Sequence, residues 1–185
     1  MKLDDAPSAL EIAAQPEQAD AIAFLDADLS DDPAELERLL KPIAAGCAEF
    51  VIGSRVRRAA PGALNPPQRF GGWLACTLMR LSTGWRYTDL GPFRAITPAS
   101  LARLHMADRT WGWTVEMQMK AALLGMPVEE VDVAYRKRRA GKSKISGTLR
   151  GIWAAGWKIL GTIAILWWNR RAIRAQADES TPVRS

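Results

Sequence analysis

Asp26 and Asp28 stand two residues apart at the end of an apolar run, Ala21-Ile-Ala-Phe-Leu25, that reads as a buried strand. Residues i and i+2 of an extended chain point the same way, so both carboxylates can reach one hard cation just past the strand. Ligands of open α/β sheets sit at the carboxyl ends of strands, and Mg²⁺ is commonly held there by one or two carboxylates together with substrate phosphates. The chemistry this pair could serve is charge neutralisation on a nucleotide. Taken alone, Asp-x-Asp equally describes two solvated loop acids. A second charged feature lies far along the chain, a turn holding Arg136, Lys137, Arg138, Arg139, Lys142 and Lys144. Gly141 and Ser143 within it would let backbone N–H groups approach a phosphate.

The elements that must hold these groups alternate helix and strand. Residues 8–19 read as a helix and 21–25 as the first strand. Asp32-Pro-Ala-Glu35 is a helix start, with an N-cap acid, proline at the first helical position and Glu35 placed for a capping box. Asp31 and Asp32 are therefore read as capping residues rather than metal ligands. Leu36, Leu39, Leu40 and Ile43 recur at helical spacing, and Gly46 closes that helix. Phe50-Val-Ile-Gly-Ser54 is a second strand, expected to pair in parallel with the first through a right-handed crossover. Residues 56–68, rich in Pro, Arg and Asn, read as a long functional flap, and 69–82 as a helix. Thr88–Ile96 is a polar turn entering a short strand, and Pro98 opens a short helix. Val115–Leu124 forms another helix and Val128–Tyr135 a strand, while residues 148–168 make a long apolar segment before a frayed tail over 172–185.

Composition narrows the class. With 185 residues, 48% hydrophobic and 24% charged, the chain fits one globular domain. Cys47 and Cys76 lack the spacing of a disulfide framework or zinc site, and the single histidine, His105, has no partner for a catalytic triad. The opening Met-Lys-Leu-Asp-Asp carries no apolar core of a signal peptide, so a reducing cytosolic setting is expected. The net charge of +5 is uneven: residues 135–185 hold 12 Lys/Arg against 2 Asp/Glu, for +10, and residues 1–134 sum to −5. A basic C-terminal third implies an anionic partner, whether phosphate, anionic lipid or nucleic acid. No interleaved aromatics or recognised motif support the last, and no nucleic-acid partner is expected.

Five segments occur in order: Phe-Leu-Asp-Ala-Asp-Leu-Ser-Asp-Asp-Pro (24–33), Val-Ile-Gly-Ser-Arg (51–55), Asp-Leu-Gly-Pro-Phe-Arg-Ala (89–95), Trp-Thr-Val-Glu-Met-Gln (113–118) and Arg-x-x-Gly-x-Ser-Lys (138–144). Over residues 8–165 the chain resembles glycosyltransferase family 2, in the branch similar to dolichyl-phosphate mannosyltransferase and bacterial polyprenyl-phosphate glucosyltransferases. The resemblance implies an α/β, GT-A fold, Rossmann-like, with a mostly parallel sheet flanked by helices. It also implies inverting transfer of a sugar from a nucleotide diphosphate donor to a polyprenyl phosphate, with Mg²⁺ or Mn²⁺ as cofactor. Asp26 and Asp28 then take the metal role, and Ser30 stands where some relatives place a Gln ligand. Arg55 and Arg138 match arginines that contact donor or acceptor phosphate, for which the planar guanidinium fork is suited; Ser143 and Lys144 join them. Arg69 is a further phosphate candidate by its place in the loop.

Asp89, Gly91 and Arg94 match the sugar and acceptor end of the family's site. The alternative there is an Asp89–Arg94 ion pair bracing a tight turn. Glu116 corresponds to an acid near the acceptor face, or else simply favours the positive end of its helix. Asp89 and Glu116 are the candidates for a general base. A phosphate monoester, with its second pKa near ~6, is already a charged nucleophile and needs none. No second acid stands beside Asp89 in Leu-Gly-Pro-Phe-Arg, which favours the lipid phosphate.

Between Arg150 and Asn169 lie 18 residues with one charge, Lys158. A membrane span takes about 20 apolar residues, and a central Lys is costly there. Trp153, Trp157, Trp167 and Trp168 between basic ends fit a helix lying in the interface, in preference to a buried helix, a dimer contact or a true span. The expected organisation is a partial GT-A domain over 1–147, a membrane-interface helix over 148–171 and a disordered tail over 172–185. The expected setting is the cytoplasmic face of a bacterial inner membrane. Only a short stretch precedes Asp26, so the family's first βα units, which cradle the nucleoside, are not seen. Weak donor binding is expected, as is an exposed sheet edge that invites pairing into a homo-oligomer. The competing expectation is a catalytically inactive, membrane-associated remnant or partner-binding module.

Overall fold

The computed structural model describes residues 19–26, 28–108, 110, 112–137 and 149–180, the side chains of 149–155 and 176–180 excepted. The helix expected over 8–19 lies outside these residues, its last position apart, and the basic turn from Arg138 to Lys144 lies outside them altogether. The elements are β1 (Ile22–Phe24), a 3-10 turn (Pro33–Glu35), α1 (Leu36–Ala44), β2 (Phe50–Ser54), α2 (Pro66–Thr83), β3 (Arg94–Ile96), α3 (Pro98–Arg103), α4 (Trp113–Leu123), β4 (Val128–Asp132), α5 (Leu149–Trp168) and α6 (Arg170–Ser180).

The strands form one sheet in the order β1-β3-β2-β4. β3 is antiparallel to both β1 and β2, and β2 pairs in parallel with β4. Three of the four strands thus share a direction, but β1 and β2 are not the neighbours the sequence led us to expect. The register explains why. Arg94, the first residue of β3, lies opposite Phe24 near the end of β1 and Ile52 near the end of β2. The turn before Arg94 therefore sits on the same rim as those two ends, and the strand leaving it must run back between them.

Alternation along the strands divides the core. Phe50, Ile52 and Ile96 face a cluster with Met79 of α2, Met117 of α4 and Ile163 of α5. Val51 and Ala95 face the other way, onto Leu39 of α1 and Val133. Leu36, Leu40 and Ile43 pack on this second cluster as their spacing predicts. Gly46, at φ 69°, ends the α1 segment in a left-handed conformation that glycine adopts without strain.

Several boundaries differ from the sequence reading; the last strand, for one, ends at Asp132 rather than Tyr135. α2 begins at Pro66, inside the expected flap, because Asn65 accepts the Gln68 N–H while the Gln68 side chain accepts the Asn65 N–H, and proline stands at the first position. Residues Arg170–Ser180 form α6 where a disordered tail was expected. Arg170 stacks on Trp167 at 4.4 Å, and Ile173 packs on the core, so the helix has an anchor.

α5 lies against the domain. Ile163 and Leu166 are buried and Ile159 packs beside them, whereas Trp157, Ile165 and Trp168 are exposed. Lys158 pairs with Asp108 at 2.9 Å, in the loop before α4. The single charge of this apolar segment is thus a tether to the domain. No helix among the described residues is long and apolar enough to cross a membrane.

Candidate active site

Three loops meet at the carboxyl rim of β1 and β2. The first carries the acids. Ser30 donates both its N–H, at 2.9 Å, and its hydroxyl to Asp28 Oδ1. Between them Leu29 adopts φ 63°, a left-handed conformation that costs a non-glycine residue about 1–3 kcal/mol and persists only where neighbours enforce it. Ser30 is fully buried and orients Asp28, rather than reaching outward as a further ligand. Asp26 donates its backbone N–H to Asp31 Oδ2 at 3.1 Å.

Asp31 is not the helix cap the sequence reading made it. Asp32 alone caps, accepting the Ala34 N–H at 3.2 Å. Asp31 is 2% exposed. Burial pushes its carboxyl above the ordinary range, opposed by the Asp26 N–H and by Arg55, and the charges of Asp26 and Asp28 push it further. Its Oδ1 is the one buried side-chain oxygen or nitrogen without a hydrogen-bond partner among the described residues.

The second loop follows β2. Arg55 donates Nε to Asp89 Oδ2 at 2.7 Å, Nη2 to Asp89 Oδ1 at 2.8 Å and its backbone N–H to Oδ2 at 2.9 Å. Its guanidinium also lies over the Tyr135 ring at 5.0 Å. The third loop, Tyr87–Gly91, is pinned on every side. Glu130 of β4 accepts the Thr88 N–H at 3.0 Å, Ser54 and Thr88 share a hydroxyl bond of 2.9 Å, and Gln118 Nε2 donates to the Asp89 carbonyl at 2.9 Å. A Cβ on Gly91 would meet the Gly53 carbonyl at 2.9 Å. Gly91 serves this close approach of two backbones, and it is buried.

The electrostatics follow from that packing. Burial works against ionisation of Asp89, but the Arg55 guanidinium and two backbone N–H groups outweigh it and hold the carboxyl below its usual range. The same pairing raises Arg55 in spite of its own burial. Asp89 is 5% exposed. Both of its oxygens accept from Arg55, and the pair fixes Arg55 and the turn. The expected alternative of an Asp89–Arg94 pair is also replaced: the partner of Asp89 is Arg55.

The side chains of Arg94 and Glu116 do not open onto this rim. Arg94 is wholly buried on the α4 side of the sheet, donating to the Gly91 carbonyl, to the Thr114 carbonyl at 3.1 Å and to Gln118 Oε1 at 3.4 Å. The rings of Trp113 at 5.0 Å and Phe50 at 5.7 Å enclose it, and burial pushes its guanidinium down to about 9. It faces that way because it shares the sheet face of Ile96, two residues on. Glu116 accepts the N–H groups of Ala107 at 2.9 Å and Asp108 at 2.7 Å and pairs with Lys120 at 2.7 Å. With every oxygen engaged in bracing the loop before α4, it has no base's task. His105, on that loop, serves through its carbonyl, which accepts from Lys120 at 2.6 Å.

Beside the Arg55–Asp89 pair lies a cleft of about 440 Å³, lined by α2 and the loop that follows it, with Arg69, Trp73, Arg80, Arg86 and Tyr87 in its wall. Arg69, Trp73 and Arg80 fall on one face of α2, at i, i+4 and i+11. Among the described residues none of these three arginines has an acidic partner. Arg69 belongs to the first turns of a helix, not to a loop. Arg80 and Arg86 escaped the sequence reading, although helical spacing from Pro66 would have placed Arg80 on the face of Arg69, three turns along. Glu130, Gln118 and Tyr135 escaped it too, since their partners are distant in sequence.

The basic turn starts at the acidic loop. Arg136 donates its N–H to the Ser30 carbonyl at 2.8 Å and pairs with Asp32 at 2.6 Å, and Tyr135 bridges to Asp31. Arg138, Ser143 and Lys144 lie outside the described residues. Among the described residues no group of three His, Cys, Asp or Glu side chains could hold a metal ion. Two carboxylates are the donor set by which an ion of the Mg²⁺ type is commonly held, alongside water and phosphate oxygens.

The family model of glycosyl transferase family 2 matches residues 6–103. An uncharacterized glycosyltransferase of Mycobacterium tuberculosis is 35% identical over 132 residues, which cover 70% of this chain and 59% of that protein. An undecaprenyl-phosphate mannosyltransferase of Micrococcus luteus is 31% identical over 140 residues, 71% of this chain and 56% of that protein. The chain therefore spans between half and two thirds of the length of these relatives. Among solved structures, glucosyl-3-phosphoglycerate synthase of Mycobacterium tuberculosis, in complex with phosphoglyceric acid, superposes with a TM-score of 0.59 at 16% identity, over 88% of this chain and 58% of that one. This likeness bears on the fold alone.

Proposed function

The chain belongs to glycosyl transferase family 2, and on that premise we propose that it transfers a sugar, with inversion, from a nucleotide diphosphate sugar to a polyprenyl phosphate at a membrane surface. Asp26 and Asp28 would hold Mg²⁺ or Mn²⁺, which when bound neutralises charge on the departing nucleoside diphosphate. Ser30 keeps the Asp28 carboxylate in place for that task. The basic turn begins at the same loop, tied there by Arg136, and Arg138, Ser143 and Lys144 are proposed to bind donor phosphates.

The observation that carries the acceptor reading is the cleft. Three arginines without acidic partners among the described residues share its wall with the exposed Trp73. Such a wall suits an anionic head on an apolar body, since guanidinium pairs with phosphate and an indole face covers hydrocarbon. Asp89 and Glu116 are both consumed by internal partners. An acceptor that brings its own charge needs neither as a base. The relative from Micrococcus luteus bears the name of a transferase acting on undecaprenyl phosphate.

Trp157, Ile165 and Trp168 on the outer side of α5, followed by Arg170, Arg171 and Arg174, suit an anionic bilayer surface, where each basic residue contributes about 1 kcal/mol. The proposed setting is therefore the cytoplasmic face of the membrane. β1 is an outer strand of the sheet, and its edge is proposed as the place where a second copy could pair.

The test is direct. The chain is incubated with undecaprenyl phosphate, radiolabelled GDP-mannose or UDP-glucose, and Mn²⁺. Label is expected in the organic phase, and the combined Asp26→Asn and Asp28→Asn variant is expected to yield none. Equal labelling by that variant would remove the metal role; no lipid-linked label from any donor would contradict the acceptor reading.

A further inference from the structure

Asp31 caps no helix, yet the fold buries it. It is an acid at 2% exposure, on the segment that bridges to Tyr135. One of its oxygens takes the backbone N–H of Asp26 at 3.1 Å. The other has no partner among the described residues. A neutral asparagine could accept the same N–H at less desolvation cost, because a buried carboxylate is expensive unless something uses its charge. The charges that act on it are Arg55, which favours its ionised form, and Asp26 and Asp28, which oppose it. Arg55 already has both oxygens of Asp89.

We infer that Asp31 is a positioning residue for the cation pair, fixing the backbone of Asp26 through one oxygen and adding negative charge behind Asp26 and Asp28 through the other. It is not a third ligand, since the described side chains form no three-ligand metal group. The inference rests on the reading of Asp26 and Asp28 as cation ligands. Groups that orient ligands from behind commonly govern metal affinity by about 10–100-fold.

The experiment is a titration of the full chain with Mn²⁺ alone, read from the electron paramagnetic resonance signal of the free ion, with thermal midpoints measured in parallel. Asp31→Asn keeps an oxygen for the Asp26 N–H and removes only the charge. It is expected to weaken Mn²⁺ binding about tenfold or more with the midpoint unchanged or raised. Glu37→Gln, on an exposed helix face, removes one charge elsewhere and is expected to bind as the parent does. Should Asp31→Asn fold poorly, Asp31→Glu decides, since restoring the charge is expected to restore affinity. Parent-like binding by Asp31→Asn, or binding by Asp31→Glu as weak as that of Asp31→Asn, overturns the inference. A parent chain that binds Mn²⁺ no better than the Asp26→Asn, Asp28→Asn variant overturns the cation reading itself, and this inference with it.

Discussion

The turn Tyr87–Arg94 and the cleft beside it are built from the same kinds of residue and use them in opposite ways. In the turn every charge is answered within the protein. Arg55 and Asp89 hold one another through two side-chain bonds, Glu130 is occupied by the Thr88 and Asp89 N–H groups, and Arg94 is sealed among carbonyls and rings. In the cleft, Arg69, Arg80 and Arg86 line a wall that contains no acid but the already paired Asp89. Charges paired inside a protein shape it; charges left facing a concavity await a partner of opposite sign. Motif membership does not mark the open charges: Arg55, Asp89 and Arg94 belong to the motifs and are paired, whereas Arg80 and Arg86 do not and face the cleft.

The comparison breaks most visibly at the buried pair. Removing one member of a buried ion pair typically costs about 3–5 kcal/mol, because the other is left uncompensated. Asp89→Ala is therefore expected to lower stability to urea by that amount. Arg55→Met combined with Asp89→Leu should recover much of it; a double variant as unstable as the single one would mean that the pair does more than balance charge.

Glu116 gives a smaller effect. Glu116→Gln loses the Lys120 pair and weakens the bonds from Ala107 and Asp108, at about 1–2 kcal/mol, while sugar transfer is expected to persist at the parent's pH profile. Loss of turnover without loss of stability would return Glu116 to the chemistry.

Acid supplies the mildest perturbation. Asp89 is held below its ordinary value of 3.8, so the folded state binds fewer protons there than the unfolded chain. Its stabilisation is present above pH 3.8 and is lost as pH falls through the lower folded value. Asp31 and Glu130, raised by burial, act in the opposite sense: their contribution is present below 3.8 and 4.5 and fades as pH rises through their folded values. Urea midpoints between neutral and acidic pH should therefore fall less steeply for Asp89→Asn than for the parent.

Local signals were legible in the sequence. The Asp32-Pro cap, the stripe of Leu36, Leu39, Leu40 and Ile43, and the apolar strands each depend on neighbours a few residues away. Asn65-Pro-Pro-Gln68 is equally local, a capping box with proline at the first position, but its loop-like composition hid the start of α2. What was illegible is what the fold brings from afar. Arg55 meets Asp89 across 34 positions, Lys158 meets Asp108 in a loop before another helix, and β3 enters between two strands that precede it. Asp31 and Asp32 look alike in sequence, and only one has its carboxylate turned inward. No periodicity can distinguish them.

The proposal that the cleft receives an anionic acceptor is met most directly by the acceptor dependence of transfer in the Arg69→Ala, Arg80→Ala, Arg86→Ala variant. These side chains carry no internal ion pair among the described residues, so the variant should melt with the parent. Its KM for undecaprenyl phosphate should rise about tenfold or more, as expected when charge-assisted phosphate contacts are removed, with the donor KM unchanged. A parent-like KM for the lipid phosphate, in a variant that is folded and turning over, would contradict the account.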